Sequence, residues 1–372
     1  MDHLAGYLKE AVLKELQGCQ LRAADGVSLY TPDGMGNYPA LWTRDFAYMA
    51  EYAGELMEPE HIRQCLCCTL DHARESDGWI PDRVDTAGTA VYSAGSPEAP
   101  CGEPNLDNGP FAVITAYFLC RYLDAGNGKQ FLERYASPLY RGLTCIPKEG
   151  EGGLVYNPPE KPHSPYGFTD CICKTGLLMK ESLLYWRACR MLAELFARHN
   201  IRPEWAKELS RQAGSIEDSL EKTFGTENGM LLAATKDCRQ TDVWGSCYAL
   251  AVGFPLTEQR KASMVRWLLE NRDGILQNGQ LRHTAPGEFW EKCLLPVAEG
   301  EYQNGAYWAT AAGWYAEAVA GEDLASACRV LEDACRYFET YGIFECVNGD
   351  YRKLPHYVVS AANVYGAIKK LL

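Results

Sequence analysis

The sequence predicts an all-α fold, a closed double ring of six helical hairpins (an α/α toroid) whose long loops gather on one rim. Three observations lead there. Apolar spacing and helix breakers divide the 372 residues into twelve helical segments, beginning near residues 2, 44, 60, 109, 128, 174, 202, 242, 257, 304, 323 and 356. The odd-numbered segments are amphipathic, whereas several even-numbered ones are nearly free of charge on every side. The connections alternate as well, short after an even segment and roughly fifteen to over thirty residues before the next.

Taken in order, the first segment puts Leu4, Leu8, Ala11 and Leu16 on one face, with Asp2, Lys9, Glu10, Lys14 and Glu15 among them. That is an outer helix, not the apolar core of a secretory signal. The second and sixth carry Glu51, Glu55, Lys180, Glu181, Arg187 and Arg190, and alternation alone places them inside. Residues 109–123 hold only Arg121, residues 243–253 no charge at all, and residues 304–320 only Glu317. A helix apolar all round belongs inside. The seventh segment lines up Trp205, Leu209, Ile216 and Leu220, and the eleventh Leu324, Cys328, Leu331, Cys335 and Phe338, as outer helices do. The short links at 57–59, 253–256 and 321–322 make each even segment and its successor an antiparallel hairpin. Six such hairpins close into a ring, while a linear solenoid would not need half of its helices buried on all sides. Residues 230–233 and 275–283 read as short hairpins in the loops. With no linker rich in Gly, Ser or Pro, residues 1–372 read as one domain.

Composition narrows the function. With 36 Lys+Arg against 49 Asp+Glu the net charge is −13, and no basic cluster occurs, so nucleic acid is excluded as an expected partner. No charge-free run is long enough to span a bilayer, so no membrane partner is expected either. Sixteen cysteines in a chain of this length without a secretory signal read as reduced, packed thiols of a cytoplasmic protein. Cys65, Cys67 and Cys68 share a helix, and Cys171 and Cys173 form a lone C-x-C, so neither a metal site nor a cofactor is expected.

Each inner segment is preceded by a polar and aromatic cluster: Trp42-Thr43-Arg44-Asp45, Asn105-Leu106-Asp107-Asn108, Gly167-Phe168-Thr169-Asp170, Thr241-Asp242-Val243-Trp244, Tyr302-Gln303-Asn304-Gly305 and Phe344-Glu345. All six fall on the same rim. Helix capping by Thr43, Asp107, Thr169, Thr241 and Asn304 accounts for part of this. It does not account for the neighbouring Trp42, Trp244, Tyr302 and Trp308, or for a cationic Arg44 at a helix start where the dipole disfavours it. Aromatic planes interleaved with Asp, Asn, Gln and Arg suit a sugar, whose C–H faces pack on rings while its hydroxyls take polar partners.

Trp42-Thr43-Arg44-Asp45, Thr241-Asp242-Val243-Trp244-Gly245-Ser246 and Tyr302-Gln303-Asn304-Gly305-Ala306-Tyr307-Trp308, in that order along nearly the whole chain, resemble the six-hairpin glycosidase superfamily of (α/α)6 barrels, which includes glucoamylase, trehalase and processing α-glucosidase. The resemblance implies inverting hydrolysis of a glycosidic bond in a short saccharide or glycoconjugate, with the general acid at Asp170 and the general base at Glu345. Ring geometry agrees, because the third and sixth loops are diametrically opposite, as a water-mediated displacement requires. The same geometry nominates a rival pair, Asp45 facing Asp242, but the resemblance makes the Arg-Asp after Trp42 a hydroxyl clamp. Sugar contacts are expected from Trp42, Arg44, Asp45, Asp107, Asn108, Asp242, Trp244, Tyr302, Gln303, Asn304 and Trp308, with Asp82, Arg83 and His283 as further candidates. Three alternatives stay open. An unsaturated glucuronyl hydrolase would use Asp107 with Asp170, an epimerase would need a pair such as His283 and His356, and a non-catalytic protein would bind the saccharide without turnover.

Overall fold

A computed structural model describes residues 2–24, 26–96 and 98–371; Met1 and Leu372, the ends of the expected single domain, lie outside the described residues. Its twelve long helices are α1 (Asp2–Gly18), α2 (Thr43–Ala53), α3 (Pro59–Asp71), α4 (Asn108–Tyr122), α5 (Ala125–Thr144), α6 (Met179–His199), α7 (Pro203–Phe224), α8 (Val243–Ala251), α9 (Glu258–Glu270), α11 (Ala312–Val319), α12 (Leu324–Tyr341) and α13 (Val358–Leu371), with α10 (Arg272–Ile275) a single turn. The inner helices α2, α4, α6, α8, α11 and α13 each pack on the next, and α13 returns to α2. The ring is therefore closed, and the solenoid is excluded. Outside it α1 packs on α13, α3 on α4, α5 on α4 and α6, α7 on α6, α9 and α12 on α11.

Parts of the inner helices are buried on every side where their sequences carry almost nothing that needs water. Residues Val243 to Ala249 of α8 and Asn108 to Ala116 of α4 are all buried. Gly109 lets α4 approach α5 closely, since a Cβ there would lie 1.9 Å from the Gly142 carbonyl oxygen. The outer helices bury single faces, among them Leu8 and Leu16 of α1, Leu209, Ile216 and Leu220 of α7, and Leu331, Cys335 and Phe338 of α12. Leu324 departs from expectation: it is 55% exposed, because it opens the first turn of α12 where no neighbour covers it. Charged groups do lie inside the ring: Glu181 of α6 pairs with buried Lys174 and Glu51 of α2 with Arg187 of α6, whereas Lys180 lacks such a partner among the described residues. The Lys180 ammonium is buried, makes no hydrogen bond among the described residues, and sits 4.2–5.5 Å from the ring centres of Tyr166, Trp244, Tyr248 and Trp314.

The loops hold more structure than the sequence suggests. Residues 275–283 do form a hairpin, Leu276–Gln277 against Gln280–Arg282, but it continues through Tyr307–Trp308 and Phe344–Asn348 to Tyr351–Pro355 as one antiparallel five-stranded sheet. The two loops that lead into α11 and α13 are thereby stitched together. This delays α11 to residue 312, where a start near 304 was expected, because Tyr307 and Trp308 are taken up in strand pairing. Pairing of Gly176–Leu177 with the strand Leu154–Asn157 likewise moves the start of α6 from near 174 to 179. Residues 230–233 are a correction, since they make only isolated bridges, Gly225 to Leu231 and Leu232 to Thr241, and no hairpin. No described helix is long and apolar enough to cross a membrane.

Candidate active site

The rim at the starts of the inner helices opens into a cavity of about 380 Å³. Asp170 and Glu345 both line it, with Tyr38, Trp42, Arg44, Asp45, Arg83, Tyr302 and Tyr357. Its remaining wall includes Pro32, Phe168, Leu295, Cys101 and Cys171.

Asp170 follows the 3-10 turn Gly167–Thr169. Gln303 Nε2 donates to its Oδ1 at 2.7 Å, and Gln303 Oε1 accepts from the Cys171 amide at 2.9 Å, so one amide side chain fixes the carboxyl and the backbone behind it. Burial pushes the Asp170 pKa up to about 6, against the opposing pull of Arg44 and the Gln303 hydrogen bond. Glu345 lies on the strand Phe344–Asn348, and Tyr38 Oη donates to its two oxygens at 3.2 and 3.4 Å. Burial pushes this carboxyl up to about 8; Lys353 and the Tyr38 hydroxyl oppose the shift, and Asp45 and Asp170 add to it. Asp45 accepts from Tyr357 Oη and is raised by burial to about 6, with Arg44 the main opposing influence.

Behind the wall runs a buried ionic network. Arg44 pairs with Asp82 Oδ1 through Nη2 and with Asp107 Oδ2 through Nε at 3.4 Å, and Arg83 Nη1 lies 2.9 Å from Asp82 Oδ2. Asn105 Nδ2 donates to Asp82 at 3.2 Å, and the Gly167 amide to Asp107 at 2.7 Å. A Cβ on residue 167 would overlap the Arg44 side chain, so glycine is required there. Arg44 thus ties the first three loops together, which explains a cation at the start of α2. Arg83 also stacks over Trp42, 4.6 Å from the ring centre.

Capping explains less of the rim than the residue types suggest. Thr43 Oγ1 donates to Pro81 O, Thr169 Oγ1 to Tyr166 O, and Asp107 turns toward Arg44 without capping α4. Asp242, not Thr241, caps α8 through the Gly245 amide at 2.7 Å.

Several expected sugar contacts do not reach the cavity wall. Trp244 and Trp308 are fully buried; the first stacks on His283 with ring centres 3.9 Å apart, and the second donates from Nε1 to Tyr302 O, supporting that cavity residue from behind. Asp242 is used as a cap, which removes the rival pair of Asp45 with Asp242. Asn304 accepts from the Trp290 amide and donates to Val297 O, and Asn108 donates to Ile80 O, so both are consumed by loop structure. Asp82, Asp107 and Gln303 act on the wall from behind. The cause is common to all: close-packed inner helices leave an opening wide enough for only the outermost rim residues. Conversely, Tyr38, Tyr357, Phe168, Leu295, Cys101 and Cys171 line the cavity although no sugar contact was expected from them. Tyr38 is delivered by a turn in which Asp33 accepts from the amides of Met35, Asn37 and Tyr38, and the string Pro32-Asp33-Gly34 is its one local signal. Among the described residues no cluster of three or more His, Cys, Asp or Glu is arranged to hold a metal ion.

No protein-family model matches the chain, and no curated protein matches it in sequence. Solved structures do. The GH63 mannosylglycerate hydrolase of Thermus thermophilus, in its complex with Tris, superposes with a TM-score of 0.70 over 96% of this chain and 99% of its own, at 16% identity. A glycosidase variant in complex with glucose gives 0.67 over 100% and 98%, at 12% identity. The GH78 rhamnosidase of Bacillus sp. GL1 gives 0.62 over 98% of this chain and 34% of its own, at 15% identity. What is shared at these identities is the fold.

Proposed function

We propose that the chain is a glycoside hydrolase that removes a terminal sugar from a short saccharide or glycoconjugate with inversion, Asp170 serving as general acid and Glu345 as general base. The observation that carries this is two carboxyls from the third and sixth loops facing one cavity of sugar-compatible size, among aromatic rings. Asp170 delivers its proton to the departing oxygen as the anomeric C–O bond breaks. Glu345, oriented by Tyr38, takes a proton from a water that attacks the anomeric carbon from the opposite face. Tyr38, Trp42, Tyr302 and Tyr357 supply rings for the C–H faces, and Asp45 with Arg44 supplies acceptors and donors for hydroxyls. The fold-sharing proteins are named for mannosylglycerate and rhamnoside hydrolysis or hold glucose, which supports a hexose-class glycone. The chain's sixteen cysteines, most of them buried, are read as reduced thiols of a cytoplasmic protein.

Asp170 with Glu345 is supported over Asp107 with Asp170, because Asp107 is fully buried against Arg44 and Gly167. Epimerisation lacks its bases, since His283 lies under Trp244 and His356 pairs with Glu15 away from the cavity. The test is release from a panel of aryl glycosides and disaccharides, with the first-formed anomer followed by NMR. Asp170→Asn and Glu345→Gln are expected to lower turnover by about 10²–10⁴-fold while sugar-induced thermal stabilisation survives. A glycosyl fluoride, which needs little acid assistance, should rescue Asp170→Asn and not Glu345→Gln. Retention of configuration, or activity surviving both substitutions, overturns the proposal; a thermal shift without product from any glycoside indicates a binding protein.

A further inference from the structure

Cys101 and Cys171 come from different loops, line the same cavity and lie close enough for each thiol to perturb the other. Their proximity is built in from both sides. The Cys101 amide donates to Ala94 O at 2.7 Å, and Arg83 Nη2 holds Gly95 O at 2.6 Å, which fixes the strap around Cys101. That strap is bridged in parallel to the third loop, with Glu103 N to Pro162 O at 3.0 Å and Ser164 N to Glu103 O at 3.2 Å. Cys171 is held by Gln303 through its amide and by the Leu294 amide through its carbonyl at 2.7 Å. Cys171 is also the residue after Asp170, and Gln303 grips both.

We infer that Cys101 and Cys171 form a redox-modification site, in which a small dialkyl disulfide entering the cavity closes them into an intramolecular disulfide and displaces the neighbouring Asp170 carboxyl. Cys101 sulfur attacks one sulfur of the small disulfide, forming a mixed disulfide and expelling the first thiolate. Cys171 then attacks Cys101 sulfur and expels the second, the two cysteine protons leaving on the two small thiols; the protein pair is oxidised by two electrons and the reagent reduced by two. The neighbouring Cys171 thiol lowers the Cys101 thiol below its ordinary pKa despite burial, and the Arg83 guanidinium adds to this, so Cys101 is the attacking sulfur. Closing the bond pulls on Cys171, whose backbone amide is held by the same Gln303 side chain that holds Asp170. Only the loss of turnover rests on the proposed glycosidase activity; the disulfide itself does not.

The experiment incubates the full chain with bis(2-hydroxyethyl) disulfide, maps linkages by peptide mass spectrometry under non-reducing conditions, and follows sugar-induced thermal stabilisation and turnover before and after dithiothreitol. The expected result is a Cys101–Cys171 linkage, loss of two hydrogens, a fall in turnover of about a hundredfold, as for a catalytic group displaced by about an ångström, and recovery on reduction. Cys101→Ser should abolish the linkage and the reversible loss. Should that variant fail to fold, the mapping on the unsubstituted chain still decides. A linkage confined to other cysteines, mixed disulfides that never resolve to this pair, or a 101–171 linkage that leaves sugar binding and turnover unchanged overturns the inference. A mapped, reversible linkage that changes the sugar-induced shift in a protein without glycosidase turnover keeps the site and removes only the hydrolase.

Discussion

Glu345 and Asp170 are raised by the same cause to different heights. Burial acts on both, but Arg44 offsets much of it at Asp170, whereas Glu345 has Asp45 and Asp170 as like-charged neighbours. Below about 6 both carboxyls carry protons and no base remains; above about 8 both are ionised and no acid remains. Turnover needs the singly protonated pair, so kcat/KM should form a bell with limbs near these values and a maximum near neutrality. Burial holds that last proton on Glu345, while catalysis needs it on Asp170. The productive form is thus the minor tautomer, and the limbs belong to the pair. Tyr38→Phe removes a hydroxyl that holds the Glu345 pKa down, so the alkaline limb should move to higher pH and kcat should fall; an unmoved limb would break the link between Tyr38 and the base. Asp170, Glu345 and the Trp42 to Asp45 string were legible because each belongs to a polar and aromatic cluster in a loop that leads into an inner helix. Tyr38 and Cys101 were not, since both lie outside those clusters and only the folding of their loops brings them to the cavity.

Among the elements, α4 and α6 carry the sharpest expectations. Gly109→Ala would drive a methyl into the Gly142 carbonyl, and separating α4 from α5 should destabilise the fold by about 1–3 kcal/mol, measured by denaturant unfolding. Lys180 at the start of α6 is pushed down to about 7, chiefly by burial, with Asp242 opposing, Lys174 adding to the depression and Glu181 and Cys247 opposing. The unfolded chain binds that proton up to the ordinary lysine pKa of about 10.4. Between the two values the unfolded state holds more protons than the native one, so stability rises with pH through that window and is lost as pH falls toward 7. Lys180→Met should flatten this slope in thermal unfolding between pH 7 and about 10; an unchanged slope would show the ammonium to be better solvated than its four aromatic neighbours allow. The inner placement of α4, α8 and α11 was readable from charge-free runs, because burial on all sides leaves that mark on composition, whereas that of α2 and α6 was readable only from alternation. The five-stranded sheet was not, because its strands are two to five residues long and pair across two separate loops.

The whole molecule owes its rim cavity to ring closure. Six inner helices begin at one rim, and contacts of α13 with α2 and of α1 with α13 complete the circle, so residues separated by most of the chain share one wall. Motif order foretold the convergence, but not how little of the rim would stay open once Trp244 and Trp308 were packed. That wall has a selective sign. Its two guanidiniums, Arg44 and Arg83, are paired with Asp82 and Asp107 behind them, so Arg44, with Lys353 beside Glu345, only partly offsets the inward-facing Asp45, Asp170 and Glu345. Uronates and sugar phosphates should be repelled and protonated iminosugars drawn in, a preference that competitive inhibition constants would show weakening as salt is added. The hollow acts as a filter on ionic character before any hydroxyl is recognised.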